Sequence, residues 1–193
     1  MTELEPMTQT KSTVRKELLQ IRNALSPSCT AAWSAKICRH IQSFIQAHAF
    51  QQGMGFLAFP GEPDLRSLMG ELDLAMQWGV PKVREEGLCF YPWPPSTPLC
   101  KSPFGFWEPE GLEPPFSFSV PTLILVPALG LDAKGHRIGF GKGHYDRFLA
   151  QLDPKACITM GVVYDACLRE VLPQDPWDIP LQYCCTESGW RAT

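Results

Sequence analysis

The feature that most constrains this chain is an alternation between two kinds of segment. Short apolar runs at residues 54–59, 80–83, 123–126 and 157–163 are separated by stretches whose apolar side chains recur every three or four residues. Short runs bounded by turn residues suit buried strands, and three-to-four spacing suits half-buried helices. Val14, Leu18, Ile21 and Leu25 predict a first helix over 11–25, ended by Ser26 and Pro27. The same pair can open a second helix, with Ser26 as N-cap and Pro27 in the first turn, which buries Trp33, Ile37, Ile41, Phe44 and Ile45. Leu65, Leu68, Met69, Leu72 and Met76 predict a third helix, capped by Asp64 and stopped near Gly79, and residues 144–152 a further one. Residues 91–121 are rich in Pro, Phe and Trp and lack a clear period, so they read as ordered loop with room for a short strand. Alternating strands and helices predict an α/β domain of three layers, with a mainly parallel central sheet flanked by helices.

A chain of 193 residues falls within the usual size of one domain, so a single domain over residues 1–193 is expected. Hydrophobic residues make up 45% and charged residues 19%, a globular balance. A net charge of -3 argues against a broad nucleic-acid-binding surface and leaves small anionic ligands open. The first twenty residues hold Lys11, Arg15, Lys16 and Glu17 without a continuous apolar run, which argues against a cleavable signal peptide. Runs such as 123–126 are far too short to span a bilayer. The expectation is a soluble, cytoplasmic monomer with no membrane partner. Eight scattered cysteines without a CxxC spacing read as reduced thiols rather than as a metal site or a disulfide framework.

The chemistry concentrates in RIGFGKGHYD, residues 137–146. Gly139, Gly141 and Gly143 alternate just before a predicted helix, so backbone N–H groups can approach an anion there. Lys142 and Arg137 add full positive charge, and Asp146 can hold the Mg²⁺ that accompanies ATP phosphates. The plainer alternative is a tight glycine turn before an ordinary amphipathic helix. A Walker A loop needs Gly four residues before its Gly-Lys pair and Ser or Thr after it, whereas Gly143 follows Lys142 here. A Rossmann fingerprint follows its strand directly, yet residues 127–136 intervene. Neither motif is present.

Lys11 and Arg15 lie four apart and share a helix face, where they can grip one anion or simply face solvent. Glu62 follows the first predicted strand, where α/β sheets place ligands, although a lone carboxylate there is also an ordinary surface group. Phe104, Phe106 and Trp107 can wall a flat ring or pack a core. His40, His48, His136 and His144 have neither metal-ligand spacing nor a catalytic partner in sequence.

Taken together, the segments KSTVRKEL (11–18), FLAFPGEPDL (56–65), VPKV (80–83), FGFWEPEG (104–111), LVPALGLDAKGHRIGFGKGHYDRFL (125–149) and DIPL (178–181) resemble the 5-formyltetrahydrofolate cyclo-ligases, also called methenyltetrahydrofolate synthetases. The resemblance implies closure of 5-formyltetrahydrofolate to 5,10-methenyltetrahydrofolate with consumption of ATP and Mg²⁺. It further implies that Lys11 and Arg15 contact ATP, that Arg137, Gly139, Gly141, Lys142, Gly143, His144 and Tyr145 form the phosphate loop, and that Asp146 and Asp178 associate with magnesium. Phe59, Glu62 and Trp107 fall at folate-contacting positions, and Lys142 and Arg137 are the residues expected to offset charge on the transferring phosphoryl group. His144 stands where Tyr is usual, Lys82 where Arg is common, and Thr122 and Gln182 where acids are frequent. Thr122 and Gln182 are expected to be structural substitutions. Two competing readings are a paralogue that keeps the ATP loop but takes another ligand, and a nucleic-acid module built on the basic first helix.

Overall fold

One strand carries most of the architecture. Thr122–Pro127 has the sequence TLILVP and is buried along both faces, so its side chains must divide between two cores. Leu123 and Leu125 enter one core, and Ile124 and Val126 enter the other. The computed structural model describes residues 9–71, 76–94, 96–101, 107–110, 114–116 and 121–193. In chain order these hold α1 (Lys11–Asn23), α2 (Pro27–Ala47), β1 (Gln52–Met54), α3 (Arg66–Glu71), β2 (Gln77–Arg84) and β3 (Gly87–Pro92). Then come β4 (Leu99–Lys101), β5 (Trp107–Pro109), β6 (Thr122–Pro127), β7 (Gly130–Asp132), β8 (Arg137–Ile138) and α4 (His144–Leu149). The chain continues with β9 (Cys157–Val162), a 3₁₀ turn (Asp165–Cys167), β10 (Leu168–Arg169), β11 (Tyr183–Thr186) and β12 (Gly189–Ala192).

The main sheet has seven strands in the order β12-β11-β9-β6-β1-β2-β3. Its five inner strands run parallel, and β3 and β12 pair antiparallel at the edges. One face packs on Ile37, Ile41 and Phe44 of α2 and on Leu68 and Met69 of α3. The other packs on Val14 and Leu18 of α1 and on Phe148 and Leu149 of α4. This is the three-layer α/β arrangement predicted by the alternation of periods. The second helix starts at its expected cap, where Ser26 Oγ accepts from Cys29 N at 3.2 Å, and the first is capped by Thr10, whose hydroxyl accepts from Thr13 N at 3.3 Å. The eight cysteines are not joined to one another in disulfides. Among the described residues no helix is long and apolar enough to cross a membrane.

The structure corrects several sequence expectations. The strand expected over 54–59 is β1, earlier and shorter. Gly55 N still donates to Gly79 O at 2.8 Å, after which the backbone leaves the sheet and turns at Pro60 and Gly61. That departure sends residues 56–62 over the carboxyl end of the parallel strands, where open α/β sheets bind ligands. Gly79 does not stop a helix. It lies inside β2, where a Cβ would come within 2.8 Å of Phe116 and 2.9 Å of Met54 Sδ, so it is small for packing. The described part of α3 is Arg66–Glu71, and Leu72 lies outside the described residues. The loop expected over 91–121 holds the end of β3 and the β4–β5 hairpin, while Phe104 and Phe106 lie outside the described residues. Sequence periodicity did not indicate the small sheet of β10, β7 and β8 or the β11–β12 hairpin, whose strands are only two to four residues long.

Gly53 in β1 is restricted in the same way, since a Cβ would lie 2.5 Å from the rigid indole of Trp78. Gly53→Ala is expected to destabilise the protein by about 1–3 kcal/mol through overpacking. Urea unfolding checks this; an unchanged midpoint would show that Trp78 yields without cost.

Candidate active site

Helix α1 presents Lys11, Arg15 and Arg22 along one face, at intervals of four and seven residues. Each side chain reaches a different loop. Lys11 Nζ bridges the carboxylates of Asp175, at 2.8 Å, and Asp178. Burial alone lowers the Lys11 pKa, but its hydrogen bonds to the two aspartates outweigh that and leave it above the ordinary lysine value. Arg15 Nε donates to the carbonyl of Gly139 at 2.8 Å, and Arg22 Nη1 donates to Glu62 Oε1 at 3.2 Å.

The glycine segment is therefore tied down through its backbone. Gly141 and Gly143 have φ of 88° and 64°, in the left-handed region that favours glycine. A Cβ on Gly141 would also lie 3.2 Å from an Arg15 guanidinium nitrogen. Gly143 stands at the start of α4 with no side-chain cap, so nearby backbone N–H groups are left for other acceptors. Lys142 is exposed, and its carbonyl accepts from Arg147 at 3.1 Å. His144 Nδ1 faces Arg147 at 3.2 Å; burial, Arg147 and Lys142 together lower its pKa, so the imidazole is neutral at neutral pH.

Arg137, on β8, is 9% exposed. Its guanidinium donates to the carbonyl of Ile179 at 2.6 Å and pairs with Asp146. Burial pulls its pKa down against the opposing charges of Asp146 and Asp178. Asp146 and Asp178 thus lie near one buried cation, and Asp178 also accepts from Asp175 N at 2.8 Å. Both offer hard carboxylate oxygens of the kind Mg²⁺ takes. Among the described residues no group of three or more His, Cys, Asp or Glu side chains could hold a metal by itself.

Glu62 is 6% exposed and sits between the glycine segment and β1. Its Oε2 accepts from Phe59 N at 2.9 Å and its Oε1 from Arg22. Burial raises its pKa, opposed by the Phe59 amide and Arg22. The Tyr145 hydroxyl is buried without a hydrogen-bond partner among the described residues, and burial and Glu62 push its pKa well above the usual tyrosine value. Phe59 packs on Phe140 of the glycine segment, ring centroids 5.3 Å apart. Trp107 is placed elsewhere. It is 46% exposed on a cleft of about 420 Å³ shared with Leu57, Ala58, Asp64, Arg66 and Leu99. Segment 57–62 thus meets Trp107's cleft through Leu57 and Ala58, and meets the glycine segment through Phe59 and Glu62.

Sequence reasoning missed Arg22, Asp175 and Phe140. Extending the Lys11 and Arg15 face by two turns would have found Arg22. Asp175 and Phe140 had no signal of their own, because the partners that define them are distant in sequence. The substitutions at Thr122 and Gln182 have structural contacts: Thr122 Oγ1 donates to Gln52 at 3.4 Å, and Gln182 Oε1 accepts from Thr159 N at 2.8 Å. Lys82 pairs with Glu108 at 3.8 Å.

The sequence profile of the 5-formyltetrahydrofolate cyclo-ligase family matches residues 7–187. A 5-formyltetrahydrofolate cyclo-ligase of Haemophilus influenzae is 27% identical over 179 residues, covering 90% of this chain and 96% of that one. One from Mycolicibacterium smegmatis is 33% identical over 128 residues, 64% of this chain and 57% of that one. Among solved structures, the 5,10-methenyltetrahydrofolate synthetase of Aquifex aeolicus superposes with a TM-score of 0.80 at 31% identity, covering 95% of this chain and 93% of that one. That of Mycoplasma pneumoniae, at 23% identity and a TM-score of 0.73, shares the fold over 93% of this chain and 99% of that one. A fold, a glycine segment and a profile match that agree over nearly the whole length place the chain in the 5-formyltetrahydrofolate cyclo-ligase family.

Proposed function

We propose that this protein, a single domain over residues 1–193 acting as a cytoplasmic monomer, converts 5-formyltetrahydrofolate to 5,10-methenyltetrahydrofolate and turns ATP into ADP and phosphate. The observation that carries the reading is the convergence on one face of α1 of the glycine segment, the acidic pair and Glu62, in a chain of this family. Substrate ATP lies along residues 137–146, its phosphates held by backbone N–H groups of Gly139, Gly141 and Gly143 and by Lys11, Arg15, Arg137 and Lys142, with His144 and Tyr145 flanking. Asp146 and Asp178 hold Mg²⁺, which when bound neutralises phosphate charge. Lys11, the present partner of Asp178, is a long, adjustable cation, so it can turn to the phosphates as that carboxylate takes the metal. Phe59, Glu62 and Trp107 contact the folate.

The formyl oxygen is a poor leaving group. Transfer of the γ-phosphoryl group to that oxygen activates the formyl carbon, N10 of the same folate attacks it, and the oxygen departs as phosphate. Such a step requires alignment and charge neutralisation rather than a protein nucleophile. Arg137 is held rigidly by Asp146 and the Ile179 carbonyl, whereas Lys142 is exposed on the glycine segment. A fixed cation and an adjustable one can follow the phosphoryl group from one oxygen to the other.

Purified protein given ATP, Mg²⁺ and 5-formyltetrahydrofolate is expected to generate the ultraviolet absorbance of the methenyl product. Absence of product at high enzyme concentration rejects the reading. Lys142→Ala is expected to lower turnover about 10²- to 10³-fold, the scale for losing one transition-state donor, without changing the thermal unfolding midpoint. Turnover at the unmodified rate would remove Lys142 from the mechanism.

A further inference from the structure

Arg22 is 4% exposed and has a role in neither the fold's apolar cores nor the phosphate contacts described above. Four observations bear on it. Its Nη1 donates to Glu62 Oε1, and the two side chains are 5% and 2% exposed, so the pair is cut off from water. Its guanidinium carbon lies 5.4 Å from the ring centroid of Phe140, a cation–π contact with the tip of the glycine segment. Its stem packs against Gly61, whose φ of 81° turns the chain so that Glu62 points back at the helix. Arg22 Nε is also buried and has no hydrogen-bond partner among the described residues. A guanidinium kept dry with one donor unmet is costly unless the charge it faces is useful.

We infer that Arg22 is a positioning residue that aims the Glu62 carboxylate at the folate while keeping Phe140 against Phe59. This rests on the proposed reading of Glu62 as a folate contact. A buried carboxylate in an apolar setting tends to take up a proton, and a protonated Glu62 loses acceptor strength toward the N–H groups of a pterin ring. The charged or titratable groups that face Glu62 are Arg22 from α1 and Tyr145 from α4. The Tyr145 hydroxyl is neutral; burial leaves the Glu62 pKa raised, and the Phe59 amide and then the Arg22 charge oppose that rise. The Arg22 hydrogen bond to Oε1 and that of the Phe59 amide to Oε2 engage both oxygens, and together they fix the carboxylate direction.

The test compares Arg22→Gln, Arg22→Lys and Glu62→Gln by steady-state kinetics across pH. Arg22→Gln is expected to raise the KM for 5-formyltetrahydrofolate about tenfold or more, the scale of one charge-assisted hydrogen bond, and to leave the KM for ATP within about twofold. Removing the cation raises the Glu62 pKa, so the acid limb of kcat/KM for the folate should move to higher pH by about one unit, with partial rescue in Arg22→Lys. An unmoved acid limb and an unmoved folate KM in folded Arg22→Gln overturn the inference. If Arg22→Gln does not fold, Glu62→Gln is compared with the Arg22→Gln/Glu62→Gln double variant, which buries no net charge. Matching folate KM values support the inference, and a further tenfold rise in the double variant overturns it. Product formation by the unmodified enzyme separates failure of this inference from failure of the proposed function.

Discussion

The face of α1 that docks on the sheet is the interaction on which the candidate site depends. Val14 and Leu18 are buried in the core shared with β6, and that burial fixes the azimuth of the helix. Once it is fixed, Lys11, Arg15 and Arg22 have no freedom about which way to point, and each meets a loop from a different part of the chain. The apolar contacts provide the favourable free energy, and the cations use the resulting rigidity to hold segments 59–62, 139–143 and 175–178 together. The Lys11 pairs are partly exposed and add little to stability, so they matter for geometry more than for folding free energy.

The site is also one of electrostatic tension. Arg22, Glu62 and Arg137 are buried charges, and partnering such groups rarely repays their removal from water in full. Arg137 is held by Asp146 and the Ile179 carbonyl, and Glu62 by an amide and a guanidinium, so none of the three is left alone. A chain selected only for stability would fill these positions with apolar side chains. Buried, paired charge at the carboxyl ends of parallel strands fits a site built to receive anionic ligands.

Much of the fold was legible because burial on a known period leaves a mark on composition. The TLILVP strand and the 11–25 and 27–47 helices showed themselves through spacing and caps, and the alternation between them indicated a layered α/β molecule. The misreadings share a cause. Gly79 looked like a helix stop because a helical pattern preceded it, but its smallness answers to Met54 and Phe116, which are adjacent only in the folded protein. The strands β7, β8 and β10 are too short to show any period, and they exist because neighbouring backbone satisfies their hydrogen bonds.

The sequence by itself determined the layering, the Ser26 cap and the glycine spacing that only a few backbone conformations can accommodate, because these depend on residues within a few positions of one another. Tertiary structure alone decided that Arg22 meets Glu62 across forty residues, that Asp146 and Asp178 lie near one guanidinium, and that Trp107 shares a cleft with Leu57 and Ala58. Those relations arise where separate loops converge at the ends of parallel strands, and a pairing made through space leaves no period in the chain from which to read it.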